Sequence, residues 1–130
     1  MVTALVDTSA LFALLDEDDL HHAAALQAWE VAADAELLTH GYIVAESVAL
    51  VRSRLGRPAV DALIDRVLPA LRVEMVEREV HDAALADCRA LGGGTSFVDR
   101  VTITYARRHG IALAFAFDAD LHSAGLAPLE

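Results

Sequence analysis

The chain has no lysine. All ten of its basic residues are arginine, set against twenty carboxylates, and the formal net charge is −10. So acidic a surface repels nucleic acid at long range, which argues against a general DNA- or RNA-binding module. It does not exclude a nuclease whose acidic pocket is filled by cations. The missing lysine also removes the phosphate-gripping residue of a P-loop. Cysteine is scarce as well. Cys88 stands alone, can close no internal disulfide and, in an alanine-rich helical stretch, reads as core filler. No basic residue precedes Arg52, so the apolar N-terminus lacks the charged start of a signal peptide, and Asp7 interrupts its run. Nowhere do about twenty apolar residues follow one another, so no membrane span is expected. These absences point to a cytoplasmic protein.

What remains is strongly apolar. Hydrophobic residues make up 55% of the 130, and the mean hydropathy is +0.40. A chain of this length predicts one domain, residues 1–130, with room for a real core. Apolar content this high suits a sheet covered by helices on both faces, whose strands read as continuous apolar runs.

The run Thr3-Ala-Leu-Val-Asp7-Thr8-Ser9-Ala-Leu-Phe-Ala-Leu-Leu15 divides at one carboxylate. The stretch before it is too short for a helix and predicts a buried strand. The stretch after it predicts a helix, with Thr8 and Ser9 as capping residues. Asp7 therefore ends a strand and begins a helix, the edge at which open α/β sheets bind ligands. It is either the first of several carboxylates gathered for a divalent metal or only the cap of its helix.

Asp16-Glu-Asp-Asp19 reads as a solvated turn. His21 to Ala33 predicts an amphipathic helix with Leu26, Trp29 and Ala33 on one face. His21 and His22, at its exposed start, read as surface polar groups, with metal ligation the alternative. Glu36 to Thr39 predicts a strand. Tyr42 to Val51 is almost continuously apolar and predicts a helix buried on most of its circumference, with Glu46 in its middle. An ionised carboxylate there needs a cation or several donors to offset its desolvation. No basic residue stands three or four positions away, so metal ligation explains Glu46 better than an ion pair with an arginine from elsewhere.

Arg52, Arg54 and Arg57 form the densest basic patch, suited either to meeting phosphates or to a solvated helix end favoured by the helix dipole. Gly56 and Pro58 separate this helix from the next, which runs from Ala59 to Leu71 with a break near Pro69. Arg72 to Val76 alternates and predicts a strand, and Glu79 to Leu91 a helix. Gly92-Gly-Gly94 lacks the G-x-G-x-x-G spacing of a phosphate loop and reads as a connector. Ser96-x-x-Asp99 is a capping box opening a helix to His109, closed by Arg107, Arg108 and His109 and then by Gly110. Ile111 to Phe117 predicts another buried strand, which Asp118 ends as Asp7 ends the first. Asp120 follows two residues on, then a short turn to Gly125 and a strand-like Leu126 to Leu129. Receiver domains and haloacid-dehalogenase-type phosphatases also gather strand-end carboxylates, but both use a lysine that this chain lacks.

Four motifs together carry a family resemblance. They are Val6-Asp7-Thr8-Ser9-Ala10-Leu11, then Glu46 in Val44-Ala-Glu-Ser, then Ser96-Phe-Val-Asp99 with Ala106-Arg-Arg-His-Gly110. The last is Phe117-Asp118-Ala-Asp-Leu-His with Ala124-Gly125-Leu126. In this order and spacing the chain resembles the PIN-domain family from Val2 to about Leu129, and within it the VapC-type toxin ribonucleases of toxin–antitoxin pairs. Two positions depart from the family pattern. Ala116 stands where a hydroxyl residue is common, which removes a hydrogen bond near the site, and Leu121 stands where phenylalanine is common.

The resemblance implies a three-layer α/β/α fold with a mainly parallel central sheet. It implies an acidic pocket of Asp7, Glu46, Asp99 and Asp118 binding Mg²⁺ or Mn²⁺, with Asp120 a lesser candidate. Carboxylate oxygens suit those hard cations and not zinc. Asp7, Glu46 and Asp99 are the expected main ligands, with Asp118 orienting them or sharing a second metal. Thr8 or Ser9 is expected to hold substrate phosphate or a ligand carboxylate. The implied activity is metal-dependent RNA hydrolysis by activated water. The implied partners are RNA, a VapB-like antitoxin with a basic arm, and a second copy of the chain. Leu11, Phe12 and the helix of Leu50 are either the antitoxin's docking groove or core and dimer contacts. A PIN-like binding module without turnover and a housekeeping RNA-processing nuclease are the alternatives.

Overall fold

A computed structural model describes residues 1–129. Five short strands form its centre: β1 (Thr3–Val6), β2 (Glu36–His40), β3 (Arg72–Glu74), β4 (Leu113–Phe115) and β5 (Ala127–Pro128). All four pairings are parallel, in the order β3-β2-β1-β4-β5. Leu5 of β1 lies opposite Leu38 on one side and Ala114 on the other. Parallel neighbours need crossover connections, and the helices that make them cover the sheet. The result is the expected α/β/α arrangement.

Those helices are α1 (Thr8–Leu15), α2 (His22–Val31), α3 (Gly41–Leu55), α4 (Arg57–Ala62), α5 (Arg78–Leu91), α6 (Phe97–His109) and α7 (Ala119–Ser123). After α4 the chain widens into a π-helical turn over Leu63–Val67 and tightens into a 3₁₀ turn over Leu68–Ala70. Pro69 sits in that last turn, where the sequence predicts the break. Gly110 ends α6 in the left-handed region, at φ 65°, as its position after three basic residues predicts. No helix is long and apolar enough to cross a membrane among the described residues.

The centre of the sheet is its most buried part. Ala4, Leu5 and Val6 have no solvent exposure and pack with Leu11, Leu38, Ile43 and Leu121. Each large aliphatic side chain sealed this way contributes about 1.5–3 kcal/mol. At the outer edge, Arg72 pairs with Glu36 at 2.7 Å and Glu74 at 2.8 Å, so β3 presents charge along the edge open to strand addition.

Three expectations need correction. α2 buries Ala25, with Ala28 and Trp29 half-buried and Ala32 buried just past its end, while Leu26 and Ala33 are exposed. Small alanines let α2 sit close, so its inward stripe is one position round from that expected. α3 is not buried on most of its circumference. It buries only Ile43, Ser47 and Val51, one turn apart on a single stripe, and leaves Ala45 and Ala49 exposed. Apolar alanine on the outer layer of a three-layer fold costs little and says little about burial. Ile111 to Phe117 pairs only over Leu113–Phe115, so Asp118 stands three residues past its strand, whereas Asp7 follows β1 directly.

The topology decides where a site can form. From β1 the chain builds outward to β2 and β3, then returns to lay β4 on the other side of β1. Connections leave β1 and β4 in opposite directions, and the strand ends between them frame a crevice, the usual ligand position in such sheets. Asp7 follows β1 and Asp118 follows the β4 strand, so both lie at that crevice.

Candidate active site

Asp7 is only 2% exposed. Its Oδ2 accepts the Ser9 backbone N–H at 3.4 Å and the Ser9 hydroxyl at 3.0 Å. Asp7 therefore does cap α1, but with one oxygen only. The other, Oδ1, is buried without a hydrogen-bond partner. Burial pushes the Asp7 carboxyl above the usual range, the Ser9 and Thr8 hydrogen bonds oppose this, and the charge of Asp118 adds to it.

Ser9 is bound on its other side as well. Its Oγ accepts the Phe117 N–H at 2.9 Å, so one hydroxyl joins the end of β1 to the loop that delivers Asp118. A second hydroxyl pair, Ser47 to Thr8 at 3.2 Å, ties α3 to α1 one residue from Glu46. Glu46 itself is half-buried, not sealed in the core, and makes no ion pair among the described residues. The arginine partner considered as its alternative explanation is not there.

Half of the predicted capping box forms. Ser96 Oγ accepts the Asp99 N–H at 3.1 Å, and the Asp99 carboxylate is left free to face the crevice. Its pKa is raised to about 7, first by burial and then by the charges of Asp7, Asp120, Glu46 and Asp118. All the sequence-predicted carboxylates thus act on one group, and so does Asp120. Asp118 and Asp120 are exposed, and Asp118 makes no capping bond at the start of α7.

One site-building residue has no signal in the sequence beyond its place before Gly41. His40 ends β2, is wholly buried, and caps α3. Its Nδ1 accepts the N–H groups of Tyr42 at 3.2 Å and Ile43 at 3.3 Å. The proton must then sit on Nε2, which donates to Thr102 Oγ1 at 2.9 Å, and Thr102 donates onward to the Val98 carbonyl at 2.8 Å. Burial lowers the His40 pKa to about 4, so the ring is neutral. It braces α3, which carries Glu46, against α6, which carries Asp99.

The two histidines weighed as ligands are otherwise engaged. His22 Nδ1 lies 2.7 Å from the Ala13 carbonyl, and the His21 ring packs on Phe117. Among the described residues no three His, Cys, Asp or Glu side chains are grouped closely enough to hold a metal ion. The donor set is nonetheless all oxygen, and the unpartnered Asp7 Oδ1 is a buried acceptor that a hard cation would satisfy. Next to the carboxylates a cavity of about 260 Å³ is lined in part by Ser9, Phe12, Glu46, Leu50, Arg54 and Asp118. Leu11 takes no part in it and is wholly core.

A model of the PIN domain matches residues 4–126. The chain belongs to the PIN-domain family. Over 126 residues this PIN domain is 32% identical to the 23S rRNA-specific endonuclease VapC20 of Mycobacterium tuberculosis, in strains CDC 1551 / Oshkosh and ATCC 25618 / H37Rv, covering 92% of each chain. The crystal structure of Mycobacterium tuberculosis VapC20, described as a sarcin-ricin loop cleaving toxin, superposes with a TM-score of 0.87. That match has 28% identity and covers 95% of this chain and 96% of the other. FitAcB from Neisseria gonorrhoeae shares the fold at a TM-score of 0.67 and 17% identity, with coverage of 98% and 96%.

Within this PIN domain the two departures have plain consequences. Leu121 is fully buried core. Ala116 offers only its carbonyl, and the His122 ring spans the carbonyls of Ala116 and Leu126 at 3.0 and 2.8 Å. The hydroxyl beside Asp7 comes from Ser9.

Proposed function

We propose that this PIN domain is a metal-dependent endoribonuclease and the toxin of a toxin–antitoxin pair. The observation that carries the proposal is the convergence of Asp7, Glu46, Asp118 and Asp120 on Asp99, whose pKa is raised first by burial and then by their charges. Asp7, Glu46, Asp99 and Asp118 would hold Mg²⁺ or Mn²⁺, and Asp120 borders them. The chemistry such a cation supplies is charge neutralisation at the scissile phosphate and a competent water nucleophile near neutral pH.

The chain's own residues set the conditions for it. Ser9 fixes the Asp7 carboxylate and, through Phe117, the loop that bears Asp118. Asp7 is buried, while Glu46 and Asp118 border the cavity that substrate would enter. Asp99, with its pKa raised to about 7, would give up its proton on binding a cation. Arg54 supplies a positive charge on the same cavity. Among the described residues His21 is the one histidine lining the cavity, with no second histidine there to complete an acid–base pair.

The relatives' described activity makes 23S rRNA the first substrate to try, alongside total RNA. With Mg²⁺ or Mn²⁺ the protein should cut RNA to leave 5′-phosphate and 3′-hydroxyl ends, and EDTA should stop it. Cleavage that survives EDTA, or that yields 2′,3′-cyclic phosphates, refutes the mechanism.

The partner proposed is a VapB-like antitoxin whose arginine pairs two carboxylates at once. Charge pairing should make its association fast and salt-sensitive. Co-expression with a neighbouring small gene tests this. A partner that binds yet leaves cleavage untouched disproves the toxin role without touching the nuclease.

A further inference from the structure

Beside the carboxylates the cavity has a wall that metal binding does not use. The rings of His21 and Phe117 lie parallel, 4.6 Å between centroids and 7° between planes. They arrive from distant parts of the chain, His21 from the turn before α2 and Phe117 from the loop after β4. Each is fixed through its backbone. The His21 N–H donates to Asp19 Oδ1 at 2.8 Å, and the Phe117 N–H to Ser9 Oγ. Phe117 is half-buried and His21 exposed, so the stack ends in solvent.

Arg54 faces the same cavity from the last turn of α3 and makes no ion pair among the described residues. It is the one arginine among lining side chains that are otherwise acidic, apolar, hydroxylic or His21. A cavity of about 260 Å³ is smaller than the roughly 300–1,000 Å³ of drug-sized sites. It suits one nucleoside of a longer strand better than a whole small molecule.

We propose that His21 and Phe117 form a stacking platform for one nucleobase of single-stranded RNA beside the scissile phosphate, with Arg54 holding a neighbouring phosphate. The inference rests on the ribonuclease proposal above and deepens it by naming how the strand is gripped. Unpaired bases can be splayed onto aromatic side chains, and every base has a face to stack. In an acidic groove the lone guanidinium also sets the path of the backbone, which is repelled elsewhere.

The test uses the full chain and a short single-stranded RNA carrying 2-aminopurine, whose fluorescence falls on stacking, with Ca²⁺ present to screen the carboxylates. Wild-type protein should quench the probe. His21→Ala should weaken probe affinity about tenfold, in line with the loss of one stacked base. His21→Phe should restore it, because the ring and not a ring nitrogen is used. In Mg²⁺-driven cleavage, His21→Ala should raise KM by the same factor with a far smaller change in kcat. His21→Gln, which keeps a polar side chain but no ring, should behave like alanine and serves if His21→Ala does not fold. Unchanged affinity in His21→Ala, or no rescue by phenylalanine, overturns the platform. A lower melting temperature with unaltered affinity overturns it too, since the stack is then only a clamp between two loops. A wild type that cleaves without quenching sinks the platform alone, whereas one that quenches but cleaves no RNA sinks the ribonuclease proposal.

Discussion

The Ser9 hydroxyl and the Asp7 carboxylate lie 3.0 Å apart, and the same hydroxyl accepts the Phe117 N–H from a residue 108 positions away. One small side chain therefore holds a buried carboxylate and the loop that delivers a second. Ser9→Ala removes both links at once. The expected loss is about 10–100-fold in metal affinity or activity, typical for a group that orients a ligand. Ser9→Thr, which keeps the hydroxyl, should lose less. Metal titration by calorimetry and cleavage rates check this, and equal losses in both variants would show that the hydroxyl is not what matters.

Glu46→Gln separates ligand from structural ion pair. Removing one partner of a buried ion pair typically costs about 3–5 kcal/mol, but no arginine pairs with Glu46 among the described residues. The amide also relieves repulsion on Asp99. Cleavage should therefore be abolished while the metal-free melting temperature stays level or rises. A clear fall in melting temperature would contradict this assignment.

The carboxylates should leave a signature in the pH dependence of stability. Asp99 has a folded pKa of about 7 against an ordinary value of 3.8. The folded state then binds more protons than the unfolded one between those values, so this contribution falls as pH rises from about 4 to 7. Asp7, also raised, acts with the same sign. His40 acts oppositely, since its folded pKa of about 4 lies below the ordinary 6.5, and stability is lost as pH falls through that window. The wild-type curve is thus flattened. The informative quantity is the advantage of Asp99→Asn over wild type without metal, which should grow from pH 4 to 7 and then level. Saturating Mg²⁺ should reverse the advantage above pH 7, because only the wild type keeps its full set of ligands.

His40 should matter for the fold and only indirectly for chemistry. His40→Ala strips the cap from α3 and leaves Thr102 without its donor, a loss of about 2–3 kcal/mol. His40→Asn can still accept at the cap and should recover part of it. Denaturant melts give the stabilities. If alanine at this position is neutral, the brace between α3 and α6 carries no energy.

Local signals made much of this site legible beforehand. Asp7 and Asp118 follow apolar strands, Asp99 follows a serine cap, and Glu46 interrupts an apolar run; each pattern depends on neighbours a few residues away. The same locality explains the misses. α3 reads as buried on most of its circumference because alanine is apolar wherever it points, and only contact with the sheet distinguishes Ile43 from Ala45. His40 carries no local signal of its role, because its partner Thr102 is 62 residues away.

The sequence by itself determined the elements, their order, the acidic balance and the family motifs, since periodicity, caps and turn residues act over one or two turns of chain. Tertiary structure alone decided the strand order that sets β4 beside β1 and so brings Asp118 to Asp7. It also decided the Ser9 bridge, the His40 brace and the stack of His21 on Phe117. The reason is physical: like charges gather, and polar side chains enter the core, only where packing elsewhere offsets the cost, and that balance belongs to the whole fold.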